Sequence, residues 1–288
     1  YHFNSRGRPM TAMIPSSAGR VHVATSGRVD QPVVVLSSGL GGAWFDWDRT
    51  VRLLQPHVRV IVFDRPGLGL SGPARRGPSL AREVAVLDAV LRGVPRAILI
   101  GHSMASLHVE AYARLRPHRV DGVVLLDPDT ETPGAGKPFD MSAVIAQALR
   151  AFGSRWLGAR ITRRYGHSFR NLLTAASTLG VTDPAPADLV ELVYRRPGVG
   201  RAVLWELASY PGQVATLERL RKRRALPRVP WLVLTAGRKV WPEHRSLAAL
   251  VPWGRNVPVP GSRHMIQMDR PDAVVMAVRE VLRGLPDR

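Results

Sequence analysis

The chain has 288 residues, 45% of them hydrophobic, enough to bury the core of one large α/β domain or two ordinary ones. It has no cysteine, which excludes disulfides, thiolate catalysis and cysteine-bound metals, and no run approaching the roughly 18 apolar residues of a membrane span. Basic residues outnumber acidic ones 41 to 22, a formal charge of +19, and lysine occurs only at Lys137, Lys222 and Lys239. The arginines are scattered, with no basic motif interleaved with aromatics, so a solvated basic surface is expected rather than specific nucleic-acid binding.

In chain order, the opening residue is Tyr1 rather than Met. That is read as a tag remnant ahead of a start at Met10, or as a cut or truncated leader. Residues 20–25 alternate and predict an edge strand, and residues 33–36 (VVVL) predict a strand buried on both faces. The glycine-rich SSGLGG (37–42) breaks it, and 58–63 (VRVIVF) forms the next strand, ended by Asp64-Arg65-Pro66-Gly67. Residues 80–91 carry helical spacing, 97–100 a strand, 107–115 a helix and 120–126 a strand. Strands separated by helices imply parallel pairing, an α/β sheet.

From about 129 to 228 no strand is expected. Met141, Val144, Ile145, Ala148, Leu149 and Phe152 predict a helix capped by Asp140, followed by helices near 169–178, 187–194, 202–209 and 214–221. Strands resume at 231–235 and 256–259, with helices at 243–250 and 271–282. The expected division is core (1–128), helical insertion (129–228) and core again (229–288).

The strand at 97–100 runs into Gly101-His102-Ser103-Met104-Ala105, one residue short of G-x-S-x-G. A serine hydroxyl needs a base to take its proton, an acid to orient that base, and N–H donors for the oxyanion. A strand–turn–helix context lifts Ser103 off the sheet and aims the Met104 N–H, at a helix start, at the developing charge. The loop 38–42 offers a second donor, the Leu40 N–H. The base is expected to be His264, which follows the last short strand and precedes the terminal helix. His102 is expected to pack beside the elbow.

Four segments together (SSGLGG, FDRPGLGLS, GHSMA and GSRHMIQMDRP) resemble the α/β-hydrolase superfamily in its capped, esterase-like branch. The resemblance frames nearly the whole chain except 129–228, where that family carries a helical cap. It implies a mostly parallel sheet flanked by helices, and hydrolysis of an ester, thioester, lactone or similar acyl bond of a small molecule without a cofactor; the leucines and aromatic residues of 129–228 point to a hydrophobic acyl substrate. Three departures stand out: Ser38 replaces the histidine that usually opens the oxyanion loop, Ala105 replaces glycine, and Ala236-Gly237-Arg238-Lys239-Val240 holds no carboxylate where the family's acid usually lies. Lys239 near His264 would disfavour an imidazolium. Some members carry the acid after the earlier strand, which points to Asp127; Asp129, Glu131, Glu243 or no acid stay open. Asp64 is expected to be structural, and Trp156 and Trp205 to pack rather than bind ligand. Carbon–carbon bond hydrolysis uses the same residues, and a non-hydrolytic binder or cyclase is the reading from another class. A cytoplasmic location is the default, with a protein cut from a membrane anchor or exported as the alternative.

Overall fold

An eight-stranded sheet with order β1-β2-β4-β3-β5-β6-β7-β8 organises the chain. The structure, a computed structural model, describes residues 10–129, 155–180 and 183–285, with the backbone alone at 155–157. The strands are β1 (Met10–Ser16), β2 (Gly19–Ser26), β3 (Val33–Ser37), β4 (Arg59–Phe63), β5 (Ala97–His102), β6 (Val120–Leu126), β7 (Trp231–Ala236) and β8 (Arg255–Val259). From β4 through β8 every neighbouring pair is parallel, while β1–β2 and β2–β4 are antiparallel. The chain therefore builds the α/β-hydrolase fold that its motifs imply.

Residues 20–25 are not an edge strand. β2 is largely buried between β1 and β4, and β1 takes the edge. β2 pairs with a strand on each side, so its residues from Val21 to Ala24 are buried in a row rather than alternately. Pro15 is tolerated in β1 because an edge strand can leave a ladder hydrogen bond unmade.

Period-two alternation sends central side chains to two cores. Val35, Ile61, Leu99, Val123 and Val233 face one, and Leu36, Val62, Ile100, Val124 and Leu232 the other. The first core is closed by α2 (Leu80–Val90) and α3 (Ala105–Leu115), the second by α1 (Asp48–Leu54) and the C-terminal α9 (Pro271–Arg283). The intervening helices are α4 (Arg155–Ser177), α5 (Ala187–Tyr194), α6 (Val199–Arg221), α7 (Pro242–Ala248) and α8 (Ile266–Asp269).

Two predicted helices, 202–209 and 214–221, are one continuous helix, α6, with Pro211 inside it. Ala202, Glu206, Tyr210, Gln213, Val214 and Leu217 are buried on both sides of the proline, so packing outweighs one lost backbone bond. The helix predicted near 169–178 is the end of the longer α4. The helix predicted at 141–152, with Asp140, lies outside the described residues, as does Glu131. Among the described residues no helix is long and apolar enough to cross a membrane.

Asp64, at the end of β4, is structural as expected. Its buried carboxyl group accepts the Trp44 N–H at 2.8 Å and the Leu70 N–H at 2.9 Å, with His22 Nδ1 at 2.8 Å. A Cβ on Gly69 would lie 2.0 Å from that carboxyl carbon, and Gly69 has φ +51°, so only glycine fits there. Asp64→Asn turns an amide donor towards one of these N–H groups. It is expected to lower the unfolding free energy by about 1–3 kcal/mol, read from urea denaturation.

His102 and His108 are both buried. Burial first, then positive charge (His264 and Arg65 respectively), pushes each imidazole from 6.5 down to about 3. Unfolded rings take up protons below about 6.5, whereas the folded ones resist until about 3, so stability is expected to fall as pH drops through that window. Urea midpoints at pH 7 and pH 5 test this, and equal midpoints would contradict it.

Candidate active site

Ser103, Asp127 and His264 follow the carboxyl ends of the parallel strands β5, β6 and β8, at one rim of the sheet. β5 delivers Ser103 in a sharp turn, with φ 52°, rare for a residue other than glycine. Its N–H donates to the Leu126 carbonyl at 2.9 Å, which fixes the turn against β6. A Cβ on Gly101 would lie 2.7 Å from the Ala105 carbonyl oxygen. The first glycine of the elbow is therefore the sterically demanding one, and fully buried Ala105 fits without a second.

β6 delivers Asp127, also at positive φ, 39°. One carboxylate oxygen lies 2.7 Å from His264 Nδ1, and the other accepts the Ala236 N–H at 2.9 Å. Burial alone would raise its pKa, but the His264 and Ala236 hydrogen bonds and the nearby histidines hold it below the usual carboxylate range. The end of β7 thus supplies a backbone donor to the carboxylate instead of the carboxylate itself. Lys239 and Glu243 are exposed. Two residues beyond Asp127, the Asp129 carbonyl accepts from the Tyr210 hydroxyl at 3.1 Å.

His264 follows β8, and the loop that carries it is tied down from both sides. Asp269 accepts the Arg263 N–H at 2.8 Å and the Leu179 N–H at 2.9 Å, while the Met265 N–H donates to the Ser177 carbonyl at 3.0 Å. His102 packs beside the elbow as expected, its Nε2 2.9 Å from the His264 carbonyl oxygen and its ring centroid 4.7 Å from that of His264. Because the His102 ring is neutral above about pH 3, it donates to that carbonyl without adding charge.

The loop after β3 closes the arrangement. Gly39 packs so tightly that a Cβ there would lie 3.1 Å from Ser103 Cβ and 2.8 Å from His102 Nδ1. Ser38, in place of the family's histidine, accepts the Trp47 indole N–H at 2.9 Å and donates to the Ala43 carbonyl at 3.2 Å. The Gly42 N–H returns to the Gly39 carbonyl at 3.0 Å.

Three buried residues at this rim were not foreseen from the sequence. Arg65 binds the Ser38 and Gly39 carbonyls and pairs with Glu206 of α6. His244 of α7 bridges Thr235 Oγ1 and the Pro128 carbonyl, both at 2.8 Å, just behind Asp127.

The chain is 30% identical over 159 residues to a Klebsiella pneumoniae protein named "Putative carbamate hydrolase RutD", an alignment covering 50% of this chain and 60% of that one. The chain thus spans about 60% of the length of the curated relatives it first matches. Among solved structures, Cfl2 from Burkholderia cenocepacia superimposes with a TM-score of 0.80 at 22% identity, covering 96% of this chain and 97% of that one. A thermophilic esterase from Thermogutta terrifontis gives 0.69 at 22% identity, covering 95% and 98%. The model of the alpha/beta hydrolase family matches residues 33–277. With the sheet order and the rim geometry, that match makes this chain a member of the alpha/beta hydrolase family.

Proposed function

We propose that the chain is a serine hydrolase that cleaves a carboxylic ester, thioester or lactone through an acyl-enzyme on Ser103. The observation that carries the reading is the 2.7 Å bond between Asp127 and His264 Nδ1 on the rim that also carries Ser103. With Nδ1–H held by Asp127, the other ring nitrogen of His264 is left to take the Ser103 proton. Ser103 Oγ then attacks the acyl carbon, and the Leu40 and Met104 N–H groups bind the oxyanion. His264 returns the proton to the leaving oxygen or sulfur, and water repeats the cycle to release the acid. Asp127, ionised and anchored by Ala236, balances the imidazolium that forms at each step.

In this reading residues 129–228 are a helical cap between two parts of the core, 1–128 and 229–288. The buried bonds from Arg170 of α4 to Asp46 (2.7 Å) and from Tyr194 of α5 to the Gly41 carbonyl (2.9 Å) support a cap seated on the oxyanion loop. The name of the Klebsiella relative favours a second substrate class, carbamates, whose carbonyl carbon would be attacked by the same serine.

Fluorophosphonate labelling followed by peptide mapping is expected to modify Ser103 in the folded protein. Turnover of p-nitrophenyl butyrate is expected to vanish in Ser103→Ala and His264→Ala, and to fall on the order of ten-thousand-fold in Asp127→Asn. An unlabelled Ser103 would sink the reading. Burst kinetics with p-nitrophenyl butyrate against a p-nitrophenyl carbamate rank the two substrate classes.

A further inference from the structure

The Arg65–Glu206 ion pair at the rim is buried, with both side chains about 2% exposed. Burying two charges is costly unless every donor and acceptor is used. Here they are used on one target. Arg65 Nε meets Glu206 Oε1 at 2.5 Å and Nη2 meets Oε2 at 2.9 Å. The same Nη2 donates to the Gly39 carbonyl at 2.6 Å, and Nη1 donates to the Ser38 carbonyl. Glu206 Oε2 also accepts the Gly41 N–H at 3.0 Å. The pair therefore grips three residues of the loop, Ser38, Gly39 and Gly41, and leaves the Leu40 N–H between them out of its grip.

Peptide geometry gives this grip a direction. The Gly39 C=O and the Leu40 N–H belong to one planar trans peptide and point in opposite directions. Drawing the Gly39 oxygen onto Arg65 thus turns the Leu40 N–H away from Arg65. On its other side Gly39 abuts the elbow, where a Cβ would lie 3.1 Å from that of Ser103. Lysine could not reproduce this, because only the guanidinium fork reaches two carbonyls and a carboxylate together. Glu206 comes from α6, and its charge neutralises Arg65 where both side chains are about 2% exposed.

We propose that Arg65 and Glu206 are positioning residues that aim the Leu40 N–H at the oxyanion, making the oxyanion site complete only when α6 is seated on the loop. The proposal rests on the serine-hydrolase reading above. It assigns to the helices between β6 and β7 a part in rate as well as in substrate enclosure.

The test measures kcat and KM for p-nitrophenyl butyrate, and inhibition by an alkyl trifluoromethyl ketone, in wild type, Arg65→Lys, Arg65→Met and Glu206→Gln. Circular dichroism sets a temperature at which each variant is folded. Loss of one aimed oxyanion donor is expected to lower kcat roughly 100-fold in both Arg65 variants and less in Glu206→Gln, with KM within about twofold. Affinity for the ketone is expected to fall in step with kcat, since it alone mimics the oxyanion. If neither Arg65 variant folds, Glu206→Gln decides. Variants that are folded and merely less heat-stable, with wild-type kcat and ketone affinity, overturn the proposal. Wild type that forms no acyl-Ser103 overturns the serine reading, and this proposal with it.

Discussion

Parallel strand direction is the constraint on which the site depends. Because β4, β3, β5, β6, β7 and β8 all run the same way, their carboxyl ends share one rim. Asp64 and Arg65 leave β4, Ser38 and Gly39 leave β3, Ser103 leaves β5, Asp127 leaves β6, and Ala236 closes β7. Residues far apart in the chain become neighbours without any segment folding back on itself. The register between β6 and β7 puts Leu126 opposite Leu234, so Asp127 leaves β6 one residue short of Ala236, whose N–H reaches the carboxylate. Two of these exits, at Ser103 and Asp127, use left-handed backbone, which costs on the order of 1–3 kcal/mol each and persists only where surrounding contacts over-determine it. Those contacts are the Ser103 bond to Leu126 and the Asp127 N–H bond to the Leu234 carbonyl.

The arginine excess has a structural use that composition does not reveal. With 41 basic residues and only 22 acidic ones, ion pairing cannot satisfy every guanidinium. Several donate to backbone carbonyls, whether or not they also pair with an acid: Arg119 to Leu91 and Val94, Arg196 to Gly69 and Ser71, Arg96 to His118 and Val120, and Arg114 to Arg224. A guanidinium has five donors in a rigid fork, so it can clamp a turn that lysine would only neutralise. Arg65 is the most buried case, and the one that reaches the loop beside Ser103.

Legibility from the sequence varied with the range of the deciding contact. Ser103 stood in a local pattern, with a β-branched strand before it and a helix after it, and His264 could be placed by its position after the last strand. Asp127 was only the first choice among several acids, because its meeting with His264 depends on strand register across a separation of 137 residues. Arg65 with Glu206 (141 residues apart) and His244 with Pro128 (116 apart) carried no pattern that composition or period could display. The edge position of β1 was missed for the same reason: which strand is outermost is a property of pairing, not of the strand.

By itself the sequence determined the elements whose signals are local. Apolar runs of four to six residues became strands buried on both faces, helical spacing became the flanking layers, and Gly101 with Ser103 became a tight elbow. The tertiary structure alone decided which carboxylate meets His264, which strand closes the sheet, that Pro211 lies within one continuous helix, and that a buried charge pair grips the loop after β3. The physical reason is range. Backbone propensity and side-chain period act over a few residues, whereas hydrogen bonds between buried charges are chosen only once the sheet has brought distant strand ends within about 3 Å of each other.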